Sequence, residues 1–215
     1  NSDISALFLS LQIAFFATLL VIPIGLGISW IIVRKNFRGT IIIESIAMLP
    51  LALPPVLVGF ILLWVIGGNS WIGKVSEAIF GTGIAFTWVA GTIASATVAL
   101  PLTVRSFAVA LSGVNRQYEE VAKGLGASSF RVFFTITLPL ARKGILAGVL
   151  LSFIRAFSEF GATIIVAGNI PGRTQTLPTA IFTRISQGDD GSVWKLALMS
   201  ILIAILTLIA HNHLW

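Results

Sequence analysis

Five long apolar runs dominate the chain, at about 5–33, 40–66, 84–111, 140–167 and 193–214 of its 215 residues. Each is long enough for a helix to cross a hydrocarbon layer, which takes roughly 20 residues. In lipid a spanning segment must satisfy its own backbone hydrogen bonds, so runs of this length are read as helices. Only 10% of the residues are charged, against roughly a quarter in soluble domains, and the mean hydropathy is +0.99. The expected fold is therefore all-α and polytopic, a single domain over 1–215 with five to six transmembrane helices. The opening NSDISALFLS lacks the basic start of a signal peptide, so the first run is expected to be retained as a span.

The basic residues set the expected topology. Arg34, Lys35 and Arg38 follow the first run, and Arg105, Arg116, Lys123, Arg131, Arg142 and Lys143 flank or occupy the segment after the third. The second and fourth connections hold only Lys74, Arg173 and Arg184, with Lys195 starting the last run. Lysine and arginine collect on the cytoplasmic side. The first and third connections, the latter at 112–143, are thus expected in the cytoplasm and the N-terminus outside. The same rule accounts for the pI of about 10.6 without nucleic acid.

Several activities are disfavoured. There is no cysteine, which removes disulfide and thiol chemistry. The two histidines, His211 and His213, stand near the chain end, and a metal centre would need further ligands. No metal site is expected. GNSWIGKV at 68–75 matches the phosphate-binding pattern G-x-x-x-x-G-K, but Val75 stands where that loop needs Ser or Thr for magnesium. No strand precedes it, and it falls on the expected outer side. The chain is therefore expected to hold no nucleotide and no cofactor of its own, and not to be an enzyme.

Helix breakers and charges mark the runs themselves. Pro50, Pro54 and Pro55 interrupt the second run and Pro101 the third. Proline removes a backbone hydrogen bond, and broken helices at membrane depth often line a cavity. A packing kink is the alternative; three prolines in six residues favour a functional bend. In SFIRAFSEFGAT, Arg155 and Glu159 are spaced i,i+4 within a run, on one helical face. Charges there are costly and either neutralise each other or serve a pathway. Ser158 and Thr163 add hydroxyls nearby. GILAG at 144–148 is a small-xxx-small pattern that permits close helix contact.

The segment 119–139, EEVAKGLGASSFRVFFTITLP, is charged and glycine-punctuated between two apolar runs. Glu119 and Lys123 are spaced as a solvated i,i+4 pair. Ser128 or Ser129 is placed to cap a second short helix carrying Phe130, Arg131, Phe133 and Phe134. Pro139 is expected to separate that helix from the next run. Such an elbow, with aromatics beside charges, suits either a protein partner or the lipid headgroups. The residues alone leave both open.

One spacing decides between them by resemblance. Glu120-Val121-Ala122, Gly126 after three residues, and Ile136-x-Leu138-Pro139 after nine more resemble the cytoplasmic motif of ATP-binding-cassette importer permeases, E-A-A…G…I-x-L-P. Val121 is the single departure. LPLALPPVLVGFILL (49–63), ALPLTVRSFAVAL (99–111), RVFFTITLPL (131–140) and SEFGATIIVAGNIPGRTQTLPTAIFT (158–183) extend the likeness over nearly the whole chain, toward molybdate permeases, with sulfate and tungstate permeases as near relatives. The NIPGRTQTLP loop carries the molybdate choice. The end at HNHLW is shorter than the basic tail usual there.

The resemblance implies a type I importer permease fold and a homodimeric pathway in a bacterial or archaeal cytoplasmic membrane. It implies two separate ATPase subunits carrying ATP and magnesium, and a periplasmic or lipid-anchored oxyanion-binding protein. Within 115–139 it makes Glu119, Glu120, Ala122, Gly126, Ala127, Phe130, Arg131, Ile136, Leu138 and Pro139 the ATPase-coupling residues. Pro50, Pro54, Pro55, Arg155, Ser158, Glu159, Phe160, Gly161 and Thr163 become pathway or gate residues. An ATP-independent secondary transporter or channel, switched by Arg155 and Glu159, is the reading from a different class.

Overall fold

The computed structural model describes residues 2–35, 39–81 and 83–214, except the side chains of Ser2 and Phe80. Arg38, one of the basic residues used for topology, and Trp215 lie outside them. The described helices are α1 (Ser2–Arg34), α2 (Thr40–Ala52), α3 (Pro55–Ile66), α4 (Trp71–Phe80), α5 (Trp88–Ser112), α6 (Arg116–Gly124) and α7 (Ser129–Val132). A π turn (Phe133–Thr137) leads into α8 (Leu138–Phe157), followed by α9 (Gly161–Val166), α10 (Leu177–Gln187) and α11 (Asp190–Leu214). Among the described residues, four helical segments are long and apolar enough to cross a membrane, and α2 with α3 makes a fifth if counted as one broken span.

The interior is built on close approach rather than on large side chains. In lipid no hydrophobic effect draws helices together, so packing of small residues must do it. Gly144 of α8 sits where a Cβ would lie 2.7 Å from that of Ala110, and Gly148 where one would lie 2.9 Å from the Phe107 ring. Thr103 and Ser152 share a hydrogen bond of 2.7 Å between hydroxyls. These three contacts fix α5 and α8 as antiparallel, with GILAG as the seam. On the other side of α5, a Cβ on Gly25 of α1 would come within 2.8 Å of the Thr103 methyl. Small buried residues of α5, including Ala90, Gly91, Ala94 and Ala99, complete the contact surface. By contrast α11 leaves Leu198, Leu202, Leu206 and Ile209 exposed, as a lipid-facing helix should.

Two sets of charges mark the ends of the bundle. Asp3, at the start of α1, meets Arg184 of α10 at 3.5 Å and Lys195 of α11 at 3.6 Å. Arg34, at the far end of α1, meets the end of α5 and the start of α6. The connections after the first and third runs thus share one end of the molecule, as the charge count expects.

The second run breaks at its prolines as expected, bending by 112° between α2 and α3, because Pro54, with ψ 133°, starts α3 afresh with Pro55 at its first turn. Two expectations need correction. The fourth run ends at Phe157, and Ser158, Glu159 and Phe160 lie outside any helix. Pro139 does not separate the elbow from the next span, since Ser129–Phe157 is one helical segment. Its missing N–H and the clash it would cause a turn earlier are absorbed by the π turn just before it.

The phosphate-loop look-alike is the cap of α4. Ser70 Oγ accepts from the Gly73 N–H at 2.9 Å. A Cβ on Gly73 would collide with the Gly67 carbonyl oxygen, so both residues serve the turn.

Candidate functional site

The elbow begins with a buried ion pair. Glu119 was expected to pair with Lys123 on a solvated face. Instead it is buried and bound to Arg34, 85 residues earlier, at 2.8 Å, with both side chains 8% exposed. Its Oε1 also accepts from the Thr137 hydroxyl at 2.8 Å. The Arg34 guanidinium donates further to the carbonyls of Leu111 and Val114, at 3.0 and 3.1 Å. It thereby caps the end of α5, where unsatisfied carbonyls favour a cation. One arginine therefore ties together α1, α5, α6 and the π turn.

The outer surface of the elbow is apolar and open. Asn115 caps α6 and Ser128 caps α7, each accepting a backbone N–H. Between them Gly126 holds φ +88°, left-handed backbone that favours glycine. Glu120, Gly126, Phe130, Arg131 and Pro139 are exposed, and Ala122, Ala127, Ile136 and Leu138 are half-buried. Val121, Leu125 and Phe130 are 65%, 85% and 75% exposed. A hollow of about 600 Å³ opens among Tyr118, Ala122, Leu125, Ile136 and Pro139. A surface this apolar on a charged segment has the composition of a docking site.

The second grouping lies at the bend. A Cβ on Gly59 of α3 would sit 2.7 Å from the Ala162 carbonyl oxygen, and one on Gly161 would lie 3.0 Å from the Pro55 ring. The proline-rich bend and the FGAT stretch, separate in sequence, are therefore packed on one another. Pro50 is half-buried within α2 and Pro54 and Pro55 are exposed. Just before FGAT, Arg155 and Glu159 pair at 2.9 Å; Glu159 is 2% exposed and Arg155 30%. The other Glu159 oxygen accepts from the Ala162 N–H at 2.9 Å. The pair is thus local, as the spacing expects, but Glu159 stands beyond the helix end rather than on a helical face.

The remaining hydroxyls differ. Ser158 is exposed and donates to the Arg155 carbonyl. Thr163 is fully buried against Ser95 of α5. Phe160 leans on Phe182 of α10 at 5.2 Å.

Residues 5–214 match the family described as binding-protein-dependent transport system inner membrane component. The chain belongs to this family. As such a component it is the membrane part of a larger import system, and several of its helices are long enough to span the membrane.

This inner membrane component is 42% identical over 213 residues to the molybdenum transport system permease protein ModB of Haemophilus influenzae, covering 99% of this chain and 93% of that one. It is 43% identical over 201 residues to the putative molybdenum transport system permease protein YvgM of Bacillus subtilis, covering 93% and 88%. A probable sulfate transport system permease protein, cysT of Chlorokybus atmophyticus, is 40% identical over 186 residues, covering 86% and 65%. In fold it resembles a bacterial ABC transporter that imports alginate, with TM-score 0.76 at 16% identity, covering 99% of this chain and 78% of that one. The MetNI methionine ABC transporter in an inward-facing conformation gives 0.69 at 16%, covering 99% and 95%.

Sequence reading missed two parts of this inner membrane component. Arg34 was read only for topology, and Thr137 not at all. Arg105, counted as a flanking cation, pairs with Glu44 of α2 at 3.2 Å while remaining 65% exposed. No spacing signals either contact, because both join distant segments.

Proposed function

We propose that the chain is the permease subunit of an ATP-driven importer for molybdate, working as a homodimer with separate ATPase subunits and an external binding protein. Full-length identity of 42% to a molybdenum permease carries this reading. The segment 115–139 is the coupling segment: Val121, Leu125 and Phe130 supply the apolar surface for the ATPase, and Arg34 with Glu119 transmits its motion to α1 and α5. ATP and magnesium belong on the ATPase. The basic end of the bundle then faces the cytoplasm and Asp3 the outside.

The anion path follows the bend. Thr103 and Ser152 put α5 and α8 in register. Arg105 lies two residues past one and Arg155 three past the other, in opposite directions, so about five residues or ~7.5 Å of rise separate them. Both side chains remain partly exposed. Two arginines stepped along the axis suit a dianion that must bind and leave. The close Gly59 and Gly161 contacts make the bend and FGAT move as one gate.

Reconstitution with the cognate ATPase and binding protein tests the substrate. ATPase activity should rise with molybdate, and stimulation by sulfate alone would give the sulfate reading that the relative at 40% identity keeps in view. A Gly126→Trp chain that still co-purifies with the ATPase and transports normally would sink the assignment of the coupling segment.

A further inference from the structure

An apolar cleft of about 570 Å³ lies between the second half of α1 and the elbow. Ile22, Leu26 and Trp30 form one wall and Phe130, Phe133 and Phe134 the other. The cleft shares Trp30 and Ser129 with a polar cavity of about 250 Å³ that holds Arg34, Lys35, Arg116, Glu120 and Lys123.

The charges in that cavity are unevenly committed. Arg34 is occupied by Glu119 and two carbonyls. Arg116 donates to the Val33 carbonyl. Lys35 holds its ammonium 5.9 Å above the Trp30 ring. Among the described residues Lys123 has no ion-pair partner. Glu119 and Glu120 face Arg34, Lys35, Arg116 and Lys123, so the mouth keeps a net positive charge.

The dimensions select the ligand. Ile22 to Trp30 is eight residues, or ~12 Å of helix, close to the ~15 Å of one leaflet in a ~30 Å hydrocarbon layer. The cleft is therefore apolar over one leaflet's depth and basic where that leaflet meets water. We propose that it binds an anionic phospholipid, with an acyl chain along Ile22, Leu26 and Phe133 and the phosphate between Lys35 and Lys123. Basic pockets beside spanning helices recognise headgroups through such cations. The proposal needs only the membrane-spanning architecture. It depends neither on the transported anion nor on which end faces the cytoplasm.

Trp30 reports on the site. A chain with the five other tryptophans changed to phenylalanine is reconstituted in phosphatidylcholine vesicles containing brominated phosphatidylglycerol or, at equal mole fraction, brominated phosphatidylcholine. Trp30 should be quenched several-fold more effectively by the anionic lipid. K35Q and K123Q should each cut that preference about fivefold, while K143Q, a cation outside the cleft, should leave it. Equal quenching by both lipids would overturn the proposal, as would equal loss in K143Q or protection of Trp30 from both, which would mean that protein fills the cleft. Native mass spectrometry of the unaltered chain from mixed vesicles gives an independent reading. Retained phosphatidylglycerol lost in K35Q and K123Q supports the site, and absence of any phosphatidylglycerol preference refutes it.

Discussion

Arg34 with Glu119 and Arg155 with Glu159 are the same chemical pair at nearly the same distance, 2.8 and 2.9 Å. Their surroundings differ. The first joins residues 85 apart, is buried on both sides, and its guanidinium bonds to α6, to the end of α5 and to the connection between them. The second closes on itself over four residues, and its arginine keeps 30% of its side chain exposed. The lesson is that a pair's role follows from what else its members hold. Arg34 locks four elements together, whereas the Arg155 pair stays within one local turn and leaves its arginine partly exposed.

The largest effect should come from breaking the lock. Glu119→Ala leaves Arg34 buried without its counter-charge, which costs about 3–5 kcal/mol. A thermal melt of the purified chain in detergent should show a marked drop. The companion Arg34→Ala should lose nearly as much, and the double variant much less than the sum. Additive losses would mean that the pair is not the lock.

Gly59→Ala tests the bend that the second pair adjoins. Its new Cβ would meet backbone at 2.7 Å, so α3 must move off α9, at about 1–3 kcal/mol. Transport should fall more than stability. Unchanged uptake would separate the bend from the gate.

Arg155→Gln should destabilise less than Glu119→Ala, because Arg155 is 30% exposed and the Ala162 N–H still holds Glu159, and should reduce anion uptake strongly. This contrast with Glu119 is the sharpest form of the comparison. Equal destabilisation by the two variants would erase it.

The smallest effect is expected at the opposite end of the bundle. The Ser192 hydroxyl and N–H beside Asp189, with Arg184, hold its carboxyl below the ordinary carboxylate range. A lowered folded-state pKa contributes stability above the ordinary value, lost as pH falls through it. Asp189→Asn should therefore be slightly less stable than the parent chain near neutrality and converge on it below about pH 4. An acid melt compared with the parent chain checks this.

Much of the fold was legible because bilayer thickness and backbone hydrogen bonding allow a long apolar run few alternatives. The elbow's caps were legible too: Ser128 and Gly126 act through their own backbone, so their neighbours in sequence suffice. The 112° bend was only half legible. Three prolines announce a break, but its angle depends on what α3 meets, and that is α9.

The partner of Glu119 was not legible at all. Lys123 stands at a spacing that favours a pair, and local geometry gave no reason to look further. Arg34 prevails because the folded chain buries Glu119 beside the end of α5, where a guanidinium answers one carboxylate and two orphan carbonyls at once.

The amino-acid sequence by itself determined that the chain spans a membrane, which connections share an end, that the second run breaks at its prolines, and which spacing carries the family likeness. These follow from hydropathy, charge and backbone chemistry, all of which act over a turn or a span. Only the tertiary structure decided that α5 and α8 are zipped through Gly144 and Gly148, that the proline bend rests on FGAT, and that Arg34 holds the elbow. Those are contacts between surfaces distant in sequence, and their energies depend on close approach and burial that no single segment contains.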